Sequence, residues 1–241
     1  MSVLLYGIHA CRFALRNKKR IIEKIWIQNI DLLQKIPELK NRKYDIVDKK
    51  IFNSMLDNDQ VHQGIIVKAQ PLANYDLNEI TKNNQDNQVI LCLDQVQDPQ
   101  NFGAILRSCA TFKVDALLTT FDHSPKESGT LAKIASGALE IVPIIRVTNL
   151  VHGLKELQKQ GFWCYGLDER GDDFLHKTNL SKKVVFVLGA EGKGLRELTK
   201  KNCDIIFKLP TGDFSTLNVA NTASVVLYEN FVRSNKNLFY L

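Results

Sequence analysis

Residues 184–195 read VVFVLGAEGKGL, an unbroken apolar run that opens directly into Gly189-Ala190-Glu191-Gly192-Lys193-Gly194. A strand with one face in water alternates polar and apolar residues. One that does not alternate is covered on both faces, as the strands of a parallel sheet between helices are. The same texture recurs at VILCLD (89–94), ALLTT (116–120), PIIRV (143–147), FWCYGLD (162–168) and DIIFKLP (204–210). Helical segments fall between and after these strands at 99–113, 128–141, 149–161 (closed by Gly161), 194–202 and 216–232. This alternation predicts an α/β domain with a mainly parallel sheet, whose ligands gather beyond the carboxyl ends of the strands.

The first third of the chain is built differently. It predicts helices at 9–24, 30–37 and 48–56, and strands at 22–29, near KYDIVD and at 61–70, a small α/β module of its own. LANYDLNEITKNNQDNQ (72–88) is polar and rich in Asn and Gln in its second half. We therefore divide the chain into a module at 1–70, a linker at 71–87 and a larger domain at 88–241. Residues 1–70 hold 13 of the 32 Lys and Arg but only 7 of the 26 Asp and Glu, and the rest of the chain holds 19 of each. The whole positive excess lies in the module, clustered in RNKKR (16–20), KNRK (40–43) and KK (49–50). Each such cluster also reads as a solvated face, but together they favour a polyanion partner, since each cation set on a phosphate releases a condensed counterion.

The content of 44% hydrophobic and 24% charged residues is that of a globular protein. No apolar run reaches the roughly 18 residues that cross a bilayer. The first 20 residues hold no acid, but their apolar run precedes the charges, the wrong order for a secretory signal. Cys11, Cys92, Cys109, Cys164 and Cys203 are odd in number and form no CxxC pair, so a reducing, cytoplasmic setting without structural zinc is expected.

Three strand ends carry candidate chemistry. In LDQVQDPQNFGAILRSCATF (93–112) Asp98 reads as a cap ahead of Pro99, while the amide of Asn101 and the guanidinium of Arg107 do not belong on a buried helix face. In 184–195 the glycines allow close backbone approach to a ligand, or make only a tight turn. The spacing is not that of a phosphate-binding GxxxxGK[ST] loop, and Glu191 would repel phosphate. The third end is LPTGDFSTLNVANTASVVLY (209–228). There Ser215 or Thr216 can cap the helix, leaving Asn218, Asn221, Thr222 and Ser224 further in. Each polar group buried without a partner costs about 1–3 kcal/mol, so a ligand or close backbone packing is expected to satisfy them.

The ordered set N-x-G-A-x-L-R-S (101–108), G-A-E-G-x-G (189–194) and L-P-x-G…T-L-N-V-A (209–220) closely resembles the three motifs of the SpoU/TrmH family. These are S-adenosylmethionine-dependent RNA 2′-O-ribose methyltransferases of the SPOUT superfamily, and the match spans about 88–232. LLYGIHACRFAL near the start and VHQGIIV at 61–67 resemble the family's N-terminal substrate-binding domain, which is similar to ribosomal protein L30e. The arrangement is most like the bacterial enzymes that methylate a guanosine of large-subunit rRNA.

The resemblance implies a trefoil-knotted SPOUT domain and a homodimer whose site is completed across the subunit interface. It also implies S-adenosylmethionine held mainly by backbone groups at Gly189, Leu209 and Leu217. Arg107 falls on the catalytic arginine position, with Asn101, Glu191 and Asn218 positioning the ribose or Arg107, and Glu191 able to pair with Arg107. Methyl transfer from a sulfonium needs no metal, and none is expected. The family usually has Ser where this chain has Thr216, whose β-branching restricts its rotamers, and the spacing from Pro210 to Thr216 is slightly short. A tRNA substrate and a non-catalytic RNA-binding protein of the same fold are the alternative readings.

Overall fold

The structure, a computed structural model, describes residues 2–56, 60–82, 87–213 and 217–235. Along the chain run β1 (Val3–Tyr6), α1 (Ile8–Arg16), β2 (Ile22–Ile27), α2 (Leu32–Lys35), β3 (Asp45–Ile46), α3 (Lys49–Met55) and β4 (Ile65–Ala69). Then follow α4 (Leu77–Thr81), β5 (Gln88–Asp94), α5 (Pro99–Thr111), β6 (Ala116–Thr120), α6 (Gly129–Ala135), β7 (Ile144–Val147) and α7 (Leu150–Lys159). The chain continues through β8 (Trp163–Leu167), β9 (Asp173–Phe174), β10 (Lys183–Gly189), α8 (Glu197–Lys201), β11 (Ile205–Lys208) and α9 (Val219–Ser234). Two compact units result: Met1–Ala73 with Lys126–Ile141, and Asn74–Pro125 with Val142–Leu241.

The first unit is a four-stranded sheet in the order β1-β4-β2-β3, antiparallel except for the β2–β3 pair. Helix α1 buries Ala10, Cys11, Ala14 and Leu15 as one stripe. It stops at Arg16, short of the expected 24. The Asn17 carboxamide oxygen accepts the Lys19 N–H at 2.9 Å, giving the backbone a turn in place of another helical bond. Pro37 likewise ends α2 early and starts a 3-10 turn to Leu39.

Segment 126–141 belongs to this unit. Its Thr130 hydroxyl bonds the Tyr6 hydroxyl at 3.0 Å. A Cβ on Gly129 would lie 2.2 Å from the Leu4 carbonyl oxygen, so only glycine fits there. Arg20, whose side chain is wholly buried, pairs with Glu127 and Glu140 and donates to the Gln70 carbonyl at 2.9 Å. Of the basic run RNKKR, Arg20 is thus an internal clamp, and Arg16 is engaged by Glu38.

The second unit is a seven-stranded sheet in the order β7-β6-β5-β10-β8-β11-β9, parallel at every recorded pairing. One face buries Ile90, Cys92, Val185 and Val187 against Leu150, Leu154 and Leu157 of α7. The alternate residues Leu91, Leu93, Phe186 and Leu188 are buried too, which is why the sequence shows no alternation. The span read as a linker holds α4, capped by Asp76, with Tyr75, Leu77 and Ile80 packed on this core. The two-residue β9 was not expected from sequence; it is too short to show a period.

Helices α5 and α9 pack against each other in parallel. Contacts advance together along both: Asn101 with Asn218, Ser108 with Ser224 at 2.7 Å, and Phe112 with Tyr228 and Phe231. Among the described residues no helix is long and apolar enough to cross a membrane.

Candidate active site at the carboxyl edge of the parallel sheet

The sheet is parallel, so the loops leaving β5, β10 and β11 emerge at one edge. Beyond β5, Asp98 accepts the N–H groups of Gln100 and Asn101 at 3.2 and 3.1 Å, and Pro99 starts α5. The cap fixes the first turn and so places Asn101, which is half-buried. Arg107 lies six residues on, about 9 Å along the axis and about 120° around it. It is exposed, and its guanidinium makes no ion pair among the described residues. The Arg107–Glu191 pairing that the resemblance allowed is therefore not formed.

The loop after β10 folds back on itself. Ala190 and Gly194 form an isolated bridge, with the Gly194 N–H on the Ala190 carbonyl at 2.9 Å. A Cβ on Gly189 would meet the Gly194 carbonyl carbon at 2.1 Å, so this position tolerates no side chain. Glu191 sits exposed at the tip. Where the loop exits, Arg196 pairs with Asp94 at the end of β5. Sequence reasoning missed this brace. Its signal was an acid ending the apolar run VILCLD, since a buried carboxylate requires a partner.

Beyond β11, Leu209 is half-buried and Gly212 has open space where a Cβ would stand. Ser215 and Thr216, named as possible caps, lie outside the described residues. The cap of α9 is Asn218, whose carboxamide oxygen accepts the Ala220 N–H at 2.8 Å. Its amide nitrogen donates to Asn101 Oδ1 at 2.9 Å and also to the Glu191 carboxylate. Three of the four expected catalytic residues thus meet at one amide group, and Arg107 stands apart from them. The remaining polar residues of α9 do not wait for a ligand. Thr222 and Ser224 bond back to the carbonyls of Asn218 and Ala220, and Asn221 is exposed.

No cysteine offers a thiolate here. Burial raises the pKa values of Cys11, Cys92, Cys109 and Cys164, and that of Cys203 is pushed up to about 12. At the three positions expected to hold the cofactor, Gly189, Leu209 and Leu217, the chain offers peptide groups and apolar side chains but no ionised group. Leu217 is 45% exposed, and the open side of Gly212 leaves its peptide uncovered. Such a set suits the hydrogen-bonding edge of a nucleoside base, as the adenosine of S-adenosylmethionine presents, better than it suits a phosphate.

Residues 88–228 match the family described as the SpoU rRNA Methylase family. The chain belongs to that family. Residues 4–75 of this SpoU chain match a second description, RNA 2'-O ribose methyltransferase substrate binding. Among curated relatives it is 34% identical over 245 residues to the 23S rRNA (guanosine-2'-O-)-methyltransferase RlmB of Escherichia coli K12, covering 95% of this chain and 98% of that one. To RlmB of Pasteurella multocida it is 37% identical, covering 95% and 97%. In fold it is similar to the SpoU methyltransferase AviRb from Streptomyces viridochromogenes in complex with AdoMet, with a TM-score of 0.83 at 19% identity, covering 97% of this chain and 90% of that one.

Proposed function

We propose that this SpoU protein transfers the methyl group of S-adenosylmethionine to a ribose 2′-hydroxyl of large-subunit rRNA, on a guanosine. One observation carries the reading: a single amide, that of Asn218, gathers Asn101 and Glu191 above a glycine turn at the sheet edge. It occurs in a chain whose full-length relatives bear that activity in their names. Those names favour rRNA over tRNA, and catalysis over bare RNA binding.

The geometry supports the following roles. Asn218 spends both amide protons inside the protein and its oxygen on the helix cap, so it organises the site and does not bind substrate. The Asn101 carboxamide nitrogen and the second Glu191 oxygen are left to hold ribose hydroxyls. Arg107 cannot act as a base, because a guanidinium stays protonated in proteins. Free of carboxylates among the described residues, it stabilises the negative charge that builds on the 2′-oxygen as the proton passes to solvent water. Bound S-adenosylmethionine supplies the electrophilic methyl, with no metal required. Gly189, Leu209 and Leu217 would hold it, and a trefoil knot formed by the last two loops is the frame we assign to them.

A homodimer in the cytoplasm completes the reading. Asn221, Val225 and Tyr228 form an exposed stripe along α9, Val225 at 46% and Tyr228 at 57%, a face suited to a second copy. Transfer of tritium from labelled S-adenosylmethionine into large-subunit rRNA tests the activity, with the product mapped for a 2′-O-methylguanosine. No incorporation, or incorporation confined to tRNA, overturns it.

A further inference from the structure

The two stretches of the first unit that resemble a substrate-binding domain, LLYGIHACRFAL and VHQGIIV, meet at one point. The Gly7 N–H donates to the His62 carbonyl at 3.2 Å, and the Ile8 N–H to Gln63 Oε1 at 2.8 Å. Gln63 holds φ of 54°, a left-handed conformation that a residue other than glycine rarely keeps without cause. The Gly64 N–H donates to His62 Nδ1 at 3.1 Å, so in the neutral ring the proton sits on Nε2, on the other side.

Two lysines from distant parts of the sequence join this turn. Lys49 opens α3, whose Phe52 ring centre lies 4.9 Å from that of His62. Lys133 comes from α6. Its Nζ lies 5.7 Å from the centre of the Tyr6 ring, and its Cγ is 3.7 Å from where a Gly7 Cβ would stand. The pKa of His62 is lowered by burial first and then by the positive charges of Lys49 and Lys133.

Six other arginines and lysines of this unit are spent within it. Arg12 and Arg16 face Glu38, Arg20 faces Glu127 and Glu140, Lys24 faces Asp45 and Lys68 faces Glu23. Arg42 donates to the Leu15 carbonyl at 2.8 Å. Lys49 and Lys133 have no carboxylate partner among the described residues. A site where cations converge uncompensated around a fixed turn favours an anion.

We propose that Lys49, Lys133 and His62 form an anchoring point for the sugar–phosphate backbone of the RNA substrate. Each lysine takes a phosphate, and His62 Nε2 donates to a neighbouring oxygen. The inference rests on the methyl-transfer reading only for the identity of the RNA, and it is tested without S-adenosylmethionine.

Binding of transcribed large-subunit rRNA is measured against KCl concentration for the wild type, K49Q/K133Q, K49R/K133R and a control, K155Q/K159Q, on α7. Each phosphate contact contributes about 0.7–0.9 to the slope of log K against log salt. K49Q/K133Q is expected to lower that slope by roughly 1.4–1.8 and to weaken binding about tenfold or more at physiological salt. K49R/K133R restores both, the control changes neither, and S-adenosylmethionine affinity stays at the wild-type value in all four.

A wild-type slope in K49Q/K133Q, or an equal drop in the control, overturns the proposal. So does a wild type that does not bind the RNA. Methyl transfer by a protein whose slope ignores these lysines would sink this inference alone. Binding that depends on them without methyl transfer would sink the proposed function alone.

Discussion

Arg196 donates its Nε to Asp94 Oδ1 across 2.7 Å, and its own backbone N–H reaches Oδ2 at 3.1 Å. The contact ties the exit of the glycine loop to the end of β5, and so sets where Glu191 stands relative to α5. The Asp94 side chain is fully buried, whereas that of Arg196 is 46% exposed. Removing the arginine side chain therefore strands a buried carboxylate. Arg196→Ala should lower stability by about 3 kcal/mol, read as a fall in the urea midpoint at unchanged slope. An unchanged midpoint would show that the carboxylate finds water and that the brace is dispensable.

Arg107, the proposed electrostatic donor, does not hold the fold. Its side chain is exposed and has no carboxylate partner among the described residues, so Arg107→Ala should melt like the wild type. It should also bind S-adenosylmethionine with wild-type affinity by calorimetry, because the groups at Gly189, Leu209 and Leu217 are untouched. The turnover number should fall by about 10²–10³, the loss usual for one preorganised electrostatic donor. Equal activity would remove Arg107 from the mechanism.

Asn218 has two functions that one substitution separates. Its oxygen caps α9, and its nitrogen gathers Asn101 and Glu191. Asn218→Asp keeps the capping oxygen, loses both donations and sets a second carboxylate beside Glu191. Stability should change by less than about 1 kcal/mol, since Asp and Asn cap almost equally well. Methyl transfer should fall at least tenfold. Asn218→Ala should lose both cap and activity. If the Asp variant is as active as the wild type, the Asn101–Asn218–Glu191 gathering is not needed for catalysis.

The parallel sheet was legible because burial of both faces leaves a local mark, an apolar run without alternation. The start of α5 was legible for the same kind of reason: Asp98 and Pro99 act within one turn. What was not legible depends on residues far apart in sequence. Nothing local in Arg20 distinguishes it from its neighbours in RNKKR, yet it is buried against Glu127 and Glu140, over a hundred residues away. The cap of α9 was missed because Ser215 and Thr216 cap as readily as Asn218 on local grounds. The contacts to Asn101 and Glu191 that hold the Asn218 amide come from other loops.

Asp115 gives the fold a pH dependence whose sign can be stated. Its carboxylate accepts the Val89 N–H at 2.7 Å, and the Asp115 N–H returns a bond to the Val89 carbonyl at 2.9 Å. Burial raises the carboxyl pKa above its ordinary 3.8, and the bonds from Val89 and from the residue's own backbone offset only part of that rise. The folded state thus holds this proton more tightly than the unfolded chain does. The resulting stability is fully present below the unfolded pKa and is lost as pH rises through the folded one. Asp115→Asn keeps an oxygen for the Val89 N–H and removes the titration. In urea unfolding at several pH values, the variant should gain on the wild type as pH rises from about 3 toward neutrality, with the gain complete once the wild-type carboxyl has ionised. A difference that stays flat across that range, or runs the other way, would mean that the hydrogen bond from Val89 outweighs burial at this site.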